Sequence, residues 1–387
     1  MESKKYIDLM REQPYAYWLH SIQGIGNKTI QKLLSVCKTA ENVYDMADSE
    51  LKEYLKPKQL EQLRCSKKTW NLSMEYDKLE NNQIAFYTKN HPHYPNRLRN
   101  TPDAPYAIYV RGKLPLEQKT CVAIIGARLC SEYGCHVARQ YGRELAKAGV
   151  QVVSGLARGI DGISQRAAIE AGGNTYAVLG CGVDICYPQE NIQIYKKISE
   201  QGGIVSEYIP GTLPKPQNFP PRNRIISGLS DAVLVIEAKQ RSGTLITVDM
   251  ALEQGREVYA IPGRVTDALS FGCNRLIEQG AGITLSPADL LEQLASIQEK
   301  EIGQRHHTKK ADDNFPILPD SKEGEFCKSI LSCLDHLPQS ADTIRGKIIG
   351  MRYYNEVTIP YLLQQLLYLQ MRGYVEQKGG QYCLSEK

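Results

Sequence analysis

The sequence predicts an α/β fold organised as a doubly wound parallel sheet. From Cys121 onward, short apolar runs alternate with amphipathic helical stretches, the pattern of strand–helix–strand units. Glycine, serine, threonine and arginine recur just after those runs, where open parallel sheets bind their ligands. A length of 387 residues suffices for two or three domains and a sizeable core, so the sheet has companions on either side.

The chain opens with helical patterning. Tyr15–Ser35 reads as helix, turn, helix, with Gly24-Ile25-Gly26 at the turn. This resembles a helix-hairpin-helix, whose turn offers backbone N–H groups to a phosphate, and reads equally well as a structural αα-hairpin. The pattern continues to about Leu79, giving a helical domain over 1–80. Ile84–Thr88 and Tyr106–Val110 read as strands on either side of a proline-rich stretch, His91–Pro105. The sheet strands are Val122–Ile125, Val150–Val153, Thr175–Leu179, Ile204–Ser206, Ala232–Ile236 and Val258–Ile261. Helices fall near Glu132–Lys147, Ile163–Ala171, Ile192–Gln201, Arg222–Leu229, Leu245–Gln254 and Asn274–Gln279, with a last one at Pro287–Ser296. Together these make a domain over 81–297. Residues 298–319 are polar and aperiodic, as a linker is. Over 320–387, three helical stretches followed by a small hairpin follow the winged-helix pattern. The charges there nearly cancel, so a protein-contact or regulatory role is at least as well supported as tight DNA reading.

Net charge is +4 and the isoelectric point about 8.3. That permits a polyanionic partner only through local clustering of basic residues. Eleven scattered cysteines, an odd number, argue for a reducing cytosol rather than a disulfide scaffold. Cys130/Cys135 and Cys181/Cys186 lack the tight CxxC spacing of a zinc site, so no metal is expected. With no apolar leader and no run of about 18 apolar residues, the expectation is a soluble cytoplasmic protein without a membrane partner.

Asn218–Ser230, NFPPRNRIISGLS, is the densest stretch. Its prolines suit the first turn of a helix, the end already favourable to anions. Arg222 and Arg224 stand two apart on that helix and point roughly opposite ways. At most one is expected to reach outward; the other ties the loop to an inner carboxylate. Phe219 supplies either a face for a base or a core anchor for the loop. Asn223 lies between the arginines.

Other strand ends carry matching chemistry. Gly126, Arg128 and the N-cap candidate Ser131 follow the first sheet strand, and Gly155 and Arg158 the second. Lys215 follows the fourth, and Arg241, Ser242, Gly243 and Thr244 the fifth. Glycine lets a ligand approach the backbone, while serine, threonine and free N–H groups bind phosphate oxygens. The first turn is not GxGxxG, because Arg128 takes the place of the second glycine and would obstruct a pyrophosphate. A GxxxxGK[ST] loop is absent. Neither a dinucleotide nor ATP hydrolysis is expected, and no cofactor.

The motifs GARLCSEYG, SGLARGID, TYAVLGCGVDICYPQEN, SEYIPGTLP, FPPRNRIISGLSDAVLVIEA, RSGTLITVDMA and GCNRLIEQGA resemble, in that order, those of the DNA-processing protein A (DprA/Smf) family, densely over Asn82–Leu285. The resemblance implies an extended Rossmann-like fold that binds single-stranded DNA without sequence preference and is not an enzyme. It further implies protection of incoming DNA in natural transformation or recombination, and loading of the RecA recombinase. The strand-contacting residues it implies are Arg128, Lys215, Phe219, Arg222 and Arg224, with backbone support from Gly126, Gly155 and Gly243. One departure is Ser164-Gln165, where the family usually has Ala-His. A homodimer is also implied, near Asn274–Ile283, where Leu276, Ile277 and Ile283 either form the contact or close the core. The competing class is a nucleotide-binding or nucleotide-cleaving enzyme, since the sheet also resembles lysine-decarboxylase-like phosphoribohydrolases. Against it, Thr247 stands where their PGGxGTxxE motif has its glutamate, and no acid–base pair is recognisable.

Overall fold

The computed structural model describes residues 2–296, 322–334, 338–349 and 357–385. They fall into two units, Met1–Glu292 and Gln293–Lys387. The expected linker, 298–319, lies outside the described residues.

The first unit begins with α1 (Glu2–Ser21), α2 (Asn27–Cys37), α3 (Ala40–Asp45), α4 (Asp48–Leu51), α5 (Pro57–Thr69) and α6 (Leu72–Asn81). Then come β1 (Ile84–Thr88), α7 (Asn96–Arg99), β2 (Ala107–Gly112), β3 (Cys121–Ile125), α8 (Glu132–Lys147), β4 (Gln151–Ser154), α9 (Ile160–Glu170) and β5 (Thr175–Leu179). The sheet is completed by α10 (Ile192–Gln201), β6 (Gly203–Ser206), α11 (Phe219–Gly228), β7 (Ala232–Val235), α12 (Gly243–Glu253), β8 (Glu257–Ala260), α13 (Phe271–Glu278) and β9 (Gly282–Ile283). A further helix, α14, covers 287–296. Strand order is β1-β2-β6-β5-β4-β3-β7-β8-β9. From β6 to β9 every neighbour is parallel, and β1 and β2 extend the β6 side antiparallel. The fold is α/β and Rossmann-like.

Strand periodicity explains two cores. Successive side chains on a strand point to opposite faces. On β5, Ala177 and Leu179 enter one apolar cluster, while Tyr176 and Val178 enter the other. Ile204 and Val205 of β6 divide the same way. The central strands are therefore buried along their whole length, as parallel strands covered on both faces must be. The first cluster also takes in Tyr17, Trp18, Leu19, Leu33 and Leu63 from the leading helices. Tyr17 meets Phe86 and Tyr109 edge-on, at ring-centroid distances of 5.6 and 6.0 Å. Residues set apart in the sequence as 1–80 thus pack into the same core as the sheet.

Several boundaries move for local reasons. The helix expected from Arg222 begins at Phe219, because the prolines occupy its first turn. The helix expected from Leu245 begins at Gly243, where Ser242 caps it by accepting from Thr244 N. The helix expected from Ile163 begins at Ile160, after Gly159 at φ 71° turns the chain. The two-residue strand β9 is too short to register as an apolar run.

The second unit contains α15 (Lys322–Cys333), α16 (Ala341–Ile349) and α17 (Ile359–Met371), followed by a hairpin of β10 (Val375–Lys378) and β11 (Gln381–Leu384). Phe326, Ile330, Ile344, Leu362, Leu366 and Val375 form its core. Among the described residues, no helix is long and apolar enough to cross a membrane.

Candidate nucleic-acid interface

β3 bonds β4 on one side and β7 on the other. The connections leaving this pair diverge, so a crevice opens at the strands' carboxyl ends, the ligand position of doubly wound sheets. A cavity of about 490 Å³ lies there. Its walls are Gly126 and Arg128 after β3, Phe219, Arg222 and Asn223 at the start of α11, and Ser242, Gly243 and Thr244 after β7. Residues chosen from three separate motifs therefore meet. Arg128, Gly155, Arg158, Phe219 and Arg222 line an adjoining hollow.

Phe219 is the first residue of α11 and half-buried. Its ring stacks on Tyr187, with centroids 5.5 Å apart and planes 29° apart. The guanidinium carbons of Arg128 and Arg222 lie 5.6 and 5.8 Å from the Phe219 ring centroid, within cation–π range. Gly180 makes room for it, since a Cβ there would come within 2.8 Å of Phe219 Cδ1. The ring is thus a loop anchor and a wall of the crevice at once.

The two arginines agree with the expectation that at most one reaches outward, but not with the strand contact that the resemblance implies for both. Neither reaches outward; Arg222 is 4% and Arg224 8% exposed. Arg224 does tie the loop to an inner carboxylate, with Nη2 donating to Glu207 at 2.7 Å, while its Nε donates to the exposed Asp103 at 3.2 Å. Burial opposes the Arg224 charge, but these carboxylates more than offset it, and its pKa lies above the ordinary value. Arg222 turns inward as well. Its Nη1 donates to the carbonyls of Gly155, at 2.8 Å, and Val178. Burial pulls its pKa down to about 10, against the attraction of Asp161, so it stays charged at neutral pH. Asp161 accepts from Gly155 N at 3.1 Å, and burial raises its carboxyl despite Arg222. The opposite-faces argument allowed one outward arginine; the protein closes over both faces at this turn.

The remaining positions divide. Arg128 and Lys215 are exposed and carry no hydrogen-bond or ion-pair partner among the described residues. Lys215 stands beside Pro216, which lines the crevice. Arg158 pairs with Glu190 at 2.6 Å on the open surface. Ser131 is engaged within the protein: its N–H and hydroxyl both donate to the buried Glu237 carboxylate while its oxygen caps α8. Leu276 is buried in the core, Ile277 packs half-buried against the same cluster, and Ile283 on the edge strand β9 is 46% exposed. Of the two alternatives left open, closing the core describes Leu276 and Ile277, while Ile283 stays accessible for a contact.

Sequence reasoning assigned no role to Tyr187, which is more open than Phe219, or to Asp161. It noted Arg241 without choosing it, yet that side chain lines the crevice, exposed and without a polar partner among the described residues. The position of Tyr187 and Arg241 just past strand ends was the available signal. Asp161 and Glu237 are both committed to protein donors. No cluster of metal-ligating side chains occurs among the described residues.

Comparison with known proteins gives an independent line. A family model described as DNA recombination-mediator protein A matches residues 85–295. Protein Smf of Synechocystis is 31% identical over 399 residues, covering 96% of this chain and 98% of that protein. DNA processing protein DprA of Streptococcus pneumoniae is 44% identical over 200 residues, covering 52% of this chain and 71% of that protein. Its crystal structure superposes with a TM-score of 0.64 at 34% identity, over 72% of this chain and 97% of that one. DNA processing protein A of Helicobacter pylori, described for its single-stranded DNA binding mode, superposes with a TM-score of 0.50 at 29% identity, over 55% of this chain and 96% of that one.

Proposed function

The chain belongs to the DNA recombination-mediator protein A family, the DprA/Smf proteins, and from that premise we propose that it binds single-stranded DNA without sequence preference in the crevice at the β3–β7 ends. The supporting observation is the meeting there of Arg128 and Arg241, both without polar partners, with the Phe219–Tyr187 stack. Cations tracking phosphates and an aromatic face for bases are what sequence-tolerant binding requires. Backbone N–H groups at Gly126 and Gly243 take phosphate oxygens that long side chains would keep at a distance. Arg222, Asp161 and Arg224 hold the walls in place, and Lys215 guides the strand from outside.

In this reading the protein works in the cytoplasm as a binder rather than an enzyme. It protects incoming strands and loads the RecA recombinase in transformation or recombination. It self-associates through the edge of the sheet at Ile283, and the C-terminal unit acts as a winged helix for protein contact. A gel shift comparing single- and double-stranded oligonucleotides, with a nucleotide-hydrolysis assay alongside, tests it. Preference for the single strand without hydrolysis is expected. Equal affinity for duplex, or turnover of a nucleotide, refutes it.

A further inference from the structure

A second concavity, of about 320 Å³, lies between α8 and α9. Arg139 and Arg166 line it from the two helices. Both are exposed, and neither has a hydrogen-bond or ion-pair partner among the described residues. The helices cross tightly at Gly142, where a Cβ would lie 2.3 Å from Ser164 O, so the two arginine-bearing faces stand side by side. Gly159, Gly162 and Asn191 form the floor. Side chains are excluded there, since a Cβ on Gly162 would lie 2.9 Å from Asn191 Nδ2 and 3.0 Å from Ala157 O. Glu170, one turn beyond Arg166 on α9, lines the same concavity and offsets part of its positive charge.

The concavity adjoins the crevice. Ala157 lines the crevice, Gly159 lines the concavity, and the exposed Arg158 stands between them. Its partner Glu190 precedes Asn191, the other bridging segment. A strand leaving Phe219 and Tyr187 therefore passes over one exchangeable surface ion pair before it meets two guanidiniums whose donors are unfilled. Guanidinium forks match the paired oxygens of a phosphodiester.

We propose that the α8–α9 concavity, through Arg139 and Arg166, is a second phosphodiester site that holds the continuation of the strand bound in the crevice. The proposal rests on the crevice being a single-strand site. Its consequence is a footprint longer than the crevice alone supplies.

The test compares oligonucleotides of about 6 and about 16 nucleotides, spanning the usual range of single-strand site sizes. Wild type and the full-length double variant Arg139→Ala/Arg166→Ala are titrated with each across a salt series. Both side chains are exposed, so the melting temperature should not move. The short oligonucleotide is expected to bind both proteins alike. The long one binds wild type at least tenfold more tightly than the short, and the double variant loses that gain. Its salt slope on the long strand falls by about 1.4, at about 0.7 per phosphate contact. Unchanged length dependence and slope in the variant overturn the proposal. So does an equal loss on both lengths, which would place the arginines in the general field of the crevice. A wild type that binds neither length overturns the crevice reading itself, and this proposal with it.

Discussion

Arg222→Ala separates support from contact. In the folded protein this guanidinium is buried, satisfies the carbonyls of Gly155 and Val178, and faces the buried carboxyl of Asp161. Removing one partner of a buried pair leaves the other uncompensated, at a cost of about 3–5 kcal/mol. Urea unfolding at pH 7 should show that loss as a lower midpoint at unchanged m-value. The penalty is pH-dependent, with a definite sign. The Asp161 carboxyl is already raised in the folded state by burial, against the pull of Arg222, and the substitution raises it further. Between the unfolded and folded values, the folded protein holds the extra proton, so stability increases as pH falls through that window. The gap between variant and wild type should therefore narrow towards about pH 4, the unfolded aspartate range. Adding Asp161→Asn should recover most of the loss at pH 7. On DNA, affinity should drop while the salt slope stays at the wild-type value, whereas Arg128→Ala lowers the slope by about 0.7. An Arg222→Ala protein with a wild-type urea midpoint and a reduced slope would show that the side chain swings out to phosphate, and the assignment of a supporting role would fall.

Phe219→Ala and Tyr187→Ala should each weaken single-strand binding by about 1–3 kcal/mol with no change in slope; a slope change in the salt titration counts against stacking. Gly155→Ala places a Cβ 2.7 Å from both Arg222 terminal nitrogens and from Asp161 Oδ2, and should destabilise by about 1–3 kcal/mol, read as a drop in Tm. His20, hydrogen-bonded to the Tyr109 hydroxyl at 2.9 Å, has its pKa lowered by burial to about 4. The unfolded chain then binds the extra proton, so stability is lost as pH falls from about 6.5 to about 4, and this loss should be absent from the Tm–pH profile of His20→Gln. Ile283→Glu should give a folded monomer by light scattering; a variant that remains dimeric places the association elsewhere.

The parallel strands and most of α8 and α10 were legible because burial on both faces and on one helical stripe leaves a direct trace in composition. β9 left none, since two residues carry no periodicity. The crevice was legible as a set of strand ends, because topology alone converges them. The direction of Arg222 and Arg224 was not. It depends on Asp161, Glu207 and Asp103, far away in the chain, and helical spacing says nothing about what closes over a helix. Ser131 was recognised as a cap, but its bond to Glu237 requires strand β7 to lie beside β3, which only the strand order supplies.

The shared core of the leading helices and the sheet has a consequence on the ribosome. Trp18 emerges early, yet its cluster is complete only when Ile204 of β6 has been made. At about 5–20 residues per second, the interval is about 10–40 s. Over that time the apolar stripe of α1 is available to any holding chaperone. Conversely, a chain begun after residue 80 would present the face formed by Phe86, Tyr109 and Ile204 without its cover. Initiation at an internal start site should therefore yield aggregate rather than a trimmed, working protein.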